Sequence, residues 1–368
     1  MNVPASAPSA TTGRRRLLTG DRPTGPLHLG HLVGTLHNRV QMQENHDCWL
    51  IVADLHSLTT RSRREQIGEL PELVREVVVD LLSVGIDPQR STIYLQSGVP
   101  AVYDLAILLQ MLIPASRLRG IPTIQDMARN AGITDDEVPL GLLGYPVLQA
   151  ADILMARAEV VPVGGDNEAH VAIAREIAEH FNALYGPVFP IPQAMVSSTP
   201  TLPGVDIITD GSRRKMSKSA GNSIRLKDTP EEVARKVATL QGPGAGKSTP
   251  EALERSPLFA FVDAFVTDRG VASALKYDYL RGTIDDGRVH EAIIADLEGL
   301  LRPIRQRRAE LTADPGRIEE IVVDGTIRAR EVAYQTLGRV RDAMGLEGLW
   351  NGLVEATQKR AEARRRPY

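Results

Sequence analysis

Three short and nearly unbroken apolar runs constrain this chain more than any other feature: "RLLTG" at 16–20, "CWLIVADLHS" at 48–57 and "STIYLQ" at 91–96. A strand that is apolar on both faces must be covered on both faces, and a parallel sheet flanked by helices does this. Between the runs the periodicity changes to that of helices. Leu29, Leu32, Val33, Leu36 and Val40 mark one over 29–43, a second spans about 63–83 with Gly85 as its stop, and "AVYDLAILLQML" follows the third run. Strand–helix alternation of this kind predicts an α/β fold with a doubly wound parallel sheet.

The alternation continues with the helix "PLGLLGYPVLQAADILMAR", the strand "EVVPVGG" and the helix "DNEAHVAIAREIAEHFNALY". A Pro-rich stretch, 186–204, then leads into a polar loop holding "RRKMSKSAGNS". Beyond 229 the sequence shows amphipathic helices and no strand. The expected division is a flexible extension over 1–15, a Rossmann-like domain over 16–228, an all-helical domain over 229–350 and a basic tail over 351–368. The single cysteine, Cys48, excludes internal disulfides and cysteine-clustered metal sites, and reads as a buried, inert thiol. No apolar run reaches the roughly 18 residues of a membrane helix. These features predict a cytoplasmic protein without membrane contact. A net charge of −3 leaves room for a local basic face that binds nucleic acid.

Two stretches carry chemistry. In "TGDRPTGPLHLGHLVG" the residues His28, Gly30 and His31 stand where a strand hands over to a helix, and free N–H groups there favour an anion. Gly30 permits close backbone approach, and the flanking imidazoles can donate to phosphate oxygens. An H-x-G-H alone is weak, since two surface histidines at a turn would look the same. The second stretch, "KMSKS" at Lys215–Ser219, places two of the chain's few lysines in a Gly/Ser-bounded loop. Ammonium groups there suit a polyphosphate whose charge shifts during reaction. A third stretch, "QGPGAGKST", imitates a phosphate-binding P-loop but fails on spacing, because Gly242 and Gly246 enclose three residues rather than four.

With both stretches in this order, the chain resembles the class I aminoacyl-tRNA synthetases, whose HIGH-like and KMSKS motifs it matches. Within them it is similar to the tryptophanyl-tRNA synthetases, through "GDRPTGPLHLGHLVG", "IVADLHSLT", "GYPVLQAADIL", "VPVGGDNEAHVAIAREIAEHFN" and "LRPIRQRRAEL". The resemblance implies that L-tryptophan attacks the α-phosphorus of ATP, that pyrophosphate leaves with Mg2+, and that tryptophan passes to tRNA(Trp). It assigns catalysis to His28, His31, Lys215 and Lys218. ATP contacts fall to these and to Arg22, Pro23, Thr24, Gly30, Gly164, Gly165, Asp166, Ile207, Met216, Ser217 and Ser219. Tryptophan contacts fall to Leu18, Gly20, His56, Tyr145, Gln149, Asp152, Val161, Val163 and Asn167. A homodimer and an anticodon-gripping helical domain are also implied, with Arg302, Arg305, Arg307, Arg308, Arg328 and Arg330 as its positive charge.

The nearest alternative is a tyrosyl-tRNA synthetase, and a non-catalytic paralogue is a more remote one. Tyr145, Gln149 and Asp152 recur at i, i+4 and i+7 and share one helical face. Either they bond to one another, or Asp152 accepts a ligand N–H or O–H. Gln149 and Asn167 stand where tryptophanyl enzymes often carry Met and Gln. Leu18 stands where tyrosyl enzymes present a Tyr to the substrate hydroxyl, and an apolar residue there suits an indole face.

Overall fold

The computed structural model describes residues 13–130, 132–164, 168–196, 201–206, 214–218 and 220–365. Five parallel strands form one sheet in the order β3-β2-β1-β4-β5. They are β1 (Arg16–Asp21), β2 (Asp47–Val52), β3 (Ser91–Leu95), β4 (Val160–Val163) and β5 (Gln193–Val196). The order reverses direction between β1 and β4, and open α/β sheets bind ligands beside such a switch point, outside the carboxyl ends of the strands. The first three strands are the apolar runs seen in the sequence. The fourth, β4, is the strand expected in "EVVPVGG"; the fifth, β5, lies inside the Pro-rich stretch, where the sequence shows no strand signal. It is short, sits at the sheet edge and keeps Gln193, Met195 and Val196 exposed, so it lacks the buried apolar run that marks the others.

The helix expected over 29–43 runs over 29–42 and contains a π segment, Leu32–Leu36. The one expected over 63–83 is two pieces, Arg64–Gly68 and Leu70–Ser83. From 230 onward the described elements are all helical. The last ones are long: Asp286–Ala313, Pro315–Ala343 and Leu346–Arg365. The last helix starts ahead of residue 351 and so runs across the boundary expected for a basic tail.

Pro315–Ala343 returns to the sheet and covers its β3 edge. Thr326 Oγ1 accepts the Leu95 N–H at 3.1 Å, and Arg330 donates to the Gly98 carbonyl. Its Ile318 joins the apolar core on one face of the sheet, and Ala329, Ala333, Leu337 and Val340 join the core on the other. This closes an edge that would otherwise expose unpaired backbone groups. The contact needs glycine: a Cβ on Gly325 would lie 1.9 Å from the Ile93 carbonyl oxygen. Gly325→Ala should therefore push the helix off the strand and lower stability by about 2 kcal/mol or more, the scale of overpacking a tight contact. Urea denaturation measures it, and an unchanged midpoint would contradict this packing.

The imitation P-loop has spent its backbone donors. Gly242 N–H donates to Asp286 Oδ2 at 2.9 Å, Gly244 N–H to the Tyr279 hydroxyl at 3.2 Å and Gly246 N–H to the Tyr279 carbonyl at 2.9 Å. Cys48 is buried, and burial pushes its thiol up to about 12, which leaves it unreactive.

Candidate active site

The turn after β1 builds the first half of the site. His28 is extended, with φ −136°, and caps the helix that starts at Leu29. Its Nδ1 accepts the Gly30 N–H at 3.1 Å, while the His28 N–H donates to His31 Nδ1 at 3.3 Å. Each ring thus accepts at Nδ1, and a neutral imidazole that does so carries its proton on Nε2. Burial lowers His28 to about 2, helped by the neighbouring His31 ring and the Lys218 ammonium. Burial also lowers His31 to about 4, against the pull of Asp21. Both rings are therefore uncharged N–H donors at neutral pH. A side chain at Gly30 would crowd the turn, since a Cβ would sit 3.0 Å from the His28 ring and force that ring to shift.

These shifts set a pH dependence. A histidine whose folded pKa lies below its unfolded value of about 6.5 supports the fold above that value. Its contribution is lost as the pH falls toward the folded pKa. Stability should drop between pH 6.5 and 4 by about 1.4 kcal/mol per pH unit for each of the two histidines. Urea unfolding at pH 7 and pH 5 tests this: the double variant His28→Asn/His31→Asn should lose clearly less than the unmodified chain, and equal losses would refute it.

The second half of the site comes from a distant segment. Leu29 N–H donates to the Ile224 carbonyl at 2.9 Å, and Leu226 N–H to the Leu27 carbonyl at 3.1 Å. These bonds lay the chain that follows KMSKS along the His28 turn. Met216 is buried, with its Cβ next to Gly30, and the Lys218 stem passes Gly25. The loop is braced by Asn222, which the sequence reading did not single out. Its Oδ1 accepts the Ser217 N–H at 2.9 Å, and its Nδ2 donates to the Lys215 carbonyl at 3.3 Å and to Asp206 at 3.1 Å. Burial lowers the Lys218 pKa, while Asp21 and Asp80 raise it. Asp21 was missed too, although a charged residue directly after an apolar strand marks the ligand edge of such a sheet. It is paired with Arg39, and its pKa is lowered: burial raises it, and Arg39 and His31 together outweigh that. Ile207 and Ser219 lie outside the described residues.

A second group of expected site residues begins at Arg22 and continues on helix Leu140–Met155. Arg22 follows Asp21, donates to Thr60 Oγ1 at 2.9 Å and keeps a buried Nε without a partner. Pro23 is buried, and Thr24 N–H closes a turn onto the Arg22 carbonyl at 2.8 Å. On the helix Leu140–Met155, Asp152 is buried, and its Oδ2 accepts from Gln96 Nε2 at 2.7 Å and lies 3.1 Å from His56 Nε2. Its Oδ1 is buried with no hydrogen-bond partner. Burial raises the Asp152 pKa, and His56 and Gln96 oppose this.

Mutual bonding of Tyr145, Gln149 and Asp152, one of the two expectations, does not occur. The Tyr145 hydroxyl lies 2.8 Å from His170 Nε2, Asp152 bonds to other elements, and half-buried Gln149 makes no side-chain hydrogen bond among the described residues. Tyr145 and Asp152 instead bond to groups on other helices and on the turn after β3, which supply better-placed partners. Gln96 and His170 were missed by the sequence reading. Leu18, Val161 and Val163 share one buried apolar cluster with Tyr145, and Gly20 pairs with Ile51 on β2. Gly164 follows β4; Gly165, Asp166 and Asn167 lie outside the described residues.

Of the arginines expected to grip RNA, Arg308 is buried and Arg305 half-buried, while Arg307 and Arg330 are exposed but each donates to a backbone carbonyl. Arg305 pairs with Glu298, Arg307 donates to the Ser83 carbonyl, Arg308 pairs with Asp80, and Arg330 donates to the Gly98 carbonyl. Arg302 and Arg328 are exposed as well, with no side-chain hydrogen bond among the described residues. The sequence shows the charges but not the acceptors that fold beneath them.

A parallel sheet with a switch point at β1/β4 carries two neutral imidazole donors beside that point, with the segment after the lysine loop laid along them, an arrangement suited to an anionic ligand. The family described as tRNA synthetases class I (W and Y) matches residues 10–302, and the chain belongs to it. It is 49% identical over 333 residues to the tryptophan–tRNA ligase of Treponema pallidum, covering 90% of this chain and 97% of that protein. It is 44% identical to that of Chlamydia caviae, covering 92% and 97%. Among solved structures, a tryptophanyl-tRNA synthetase from Campylobacter jejuni complexed with ADP and tryptophan superposes with a TM-score of 0.76 at 29% identity, covering 90% of this chain and 100% of that one.

Proposed function

We propose that the chain is a tryptophan–tRNA ligase that joins tryptophan to AMP and then transfers it to tRNA(Trp). The observation that carries this is the buried, unpartnered Oδ1 of Asp152 on helix Leu140–Met155. A buried carboxylate oxygen without a donor is costly, and an indole N–H would supply one. Leu18 lines the same cluster as an apolar surface for an aromatic ring.

In the first step a tryptophan carboxylate oxygen attacks the α-phosphorus of ATP. A new O–P bond forms, the bond from that phosphorus to the bridging oxygen breaks, and pyrophosphate leaves with the electron pair. His28 and His31 donate through Nε2–H to phosphate oxygens, and Lys215 and Lys218 carry positive charge to the departing pyrophosphate. Preorganised donors of this kind supply rate without a covalent enzyme intermediate.

Among the described residues no three His, Cys, Asp or Glu side chains cluster as a metal cage. Asp21 and Asp80 are already paired with arginines. Mg2+ accompanying the triphosphate would be held mainly by phosphate oxygens and water, as this ion usually is beside nucleotides, and would offset charge on the departing pyrophosphate.

The helical region from 229 to 350 takes the tRNA in this reading. A second copy of the chain meets the outer face of helix Ala101–Gln110, where Tyr103 and Ile107, with Met111 just past its end, are exposed. Among the described residues no helix is long and apolar enough to cross a membrane, and we place the enzyme in the cytoplasm. Amino-acid-dependent ATP–pyrophosphate exchange with tryptophan and tyrosine side by side tests the substrate. Exchange with tryptophan is expected; exchange with tyrosine instead would favour the tyrosyl reading, and exchange with neither would favour a non-catalytic paralogue.

A further inference from the structure

Gln96 is the first residue after β3, opens the turn Gln96–Gly98 and is buried. Three bonds fasten the strand end and this turn. Leu95 N–H donates to Thr326 Oγ1 at 3.1 Å, Ser97 N–H to Asp54 Oδ1 at 2.9 Å, and Arg330 to the Gly98 carbonyl. A Cβ on Gly98 would lie 2.6 Å from the Thr326 methyl group, so helix Pro315–Ala343 is seated directly on the turn. Gln96 therefore projects from a backbone with little freedom to move.

Both ends of its amide are engaged. Oε1 accepts the His56 N–H at 3.3 Å, and Nε2 donates to Asp152 Oδ2 at 2.7 Å. A backbone N–H can only donate, so it decides which end of the amide faces which neighbour. His56 Nε2 lies 3.1 Å from the same Oδ2. Each oxygen of an ionised carboxylate has about two lone-pair sites. Two donors fill those of Oδ2, which leaves Oδ1, buried and unpartnered, to the ligand.

We propose that Gln96 is a positioning residue that sets substrate specificity: by holding Asp152 Oδ2 it keeps Oδ1 turned to the ligand as an acceptor, and so makes the pocket select an amino acid whose aromatic ring carries an N–H. The inference rests on the reading of Asp152 as the acceptor of an indole N–H. Burial works toward a neutral Asp152, and the hydrogen bonds from His56 and Gln96 oppose it. Without the amide the carboxyl gains freedom to turn and to take up a proton, and either change weakens Oδ1 as an acceptor.

Pyrophosphate exchange by the full chain tests this, with tryptophan compared against benzothienylalanine, which has the same shape with sulfur in place of the N–H. The unmodified chain should prefer tryptophan by about a hundredfold or more in kcat/KM, since a site built to bond an N–H rejects an analogue without one. Gln96→Met, close in volume, should lower kcat/KM for tryptophan by at least about tenfold and for the analogue by less than about threefold, the loss expected of a hydrogen bond to a charged group. The KM for ATP should stay unchanged. Loss of a merely structural residue would lower exchange with both substrates together and leave their ratio intact. Gln96→Glu serves where Gln96→Met does not fold, because it keeps the shape and the acceptor for the His56 N–H. It brings a second carboxyl against Asp152, the two share a proton as close carboxyls do, and the preference should fall by at least about threefold.

A tryptophan-to-analogue ratio that is unchanged in the variants would overturn the proposal and leave the ligase reading standing. Undiminished tryptophan exchange in Gln96→Met would do the same. An unmodified chain that uses both substrates equally well would refute the N–H reading of Asp152 and the proposal with it. Exchange with neither would refute the ligase reading itself.

Discussion

Replacing Asp152 with alanine should abolish most tryptophan-dependent pyrophosphate exchange while ATP affinity stays normal. The side chain does two things at once. Its Oδ2 gathers Gln96 and His56, and its Oδ1 waits buried for a donor. Alanine would leave a tryptophan N–H, the Gln96 amide and the His56 ring all without this acceptor. An unpaired buried donor costs about 1–3 kcal/mol, so two or more of them put the loss in kcat/KM at about a hundredfold or beyond. Asn is no safe substitute: its NH2 group would face either the amide of Gln96 or the incoming indole N–H, and both are donors. Exchange kinetics with tryptophan varied at saturating ATP, then ATP varied at saturating tryptophan, separate the two affinities. A normal tryptophan KM in Asp152→Ala would remove this residue from the substrate pocket.

The second large effect is expected at the opposite end of the crevice. Lys218→Met should reduce kcat for exchange by about 10²–10³, the usual effect of deleting one preorganised stabiliser of transition-state charge, and leave the tryptophan KM unchanged. Because His28 and His31 are held neutral, they supply hydrogen bonds but no charge. The positive field on the phosphates then falls to the lysines of the loop, and Lys218 sits nearest the turn, beside Gly25. A variant that kept its kcat but bound tryptophan poorly would put this lysine at the wrong end of the site.

What could be read from the sequence, and what could not, follows from how far apart the partners are. Strands β1 to β4 announce themselves because each is a local apolar run, and His28, Gly30 and His31 because one turn contains them all. The strand β5 does not, being a short edge strand with exposed side chains between prolines. Asp80 and Arg308 look like ordinary charges on amphipathic helices, and nothing local says that they meet in the interior. The same holds for Asn222 and Lys215, whose contact depends on the return of the loop, and for Gly325, whose need for glycine arises from a strand more than two hundred residues away. The division at 228 rests on the disappearance of strands from the pattern. Periodicity cannot reveal that helix Pro315–Ala343 travels back to cover β3 and contributes to the core on both faces of the sheet.

The central claim is that the nucleotide phosphates meet two uncharged imidazoles through their Nε2–H groups, with the lysine loop above them. Nitrogen-15 NMR of histidine-labelled protein at pH 7 tests it most directly, with His28→Asn and His31→Asn identifying the resonances. The account predicts both rings as neutral tautomers protonated on Nε2, with both Nε2 signals moving on addition of an unreactive ATP analogue and neither moving with tryptophan alone. Charged rings at pH 7, or Nε2 signals indifferent to the analogue, would contradict it.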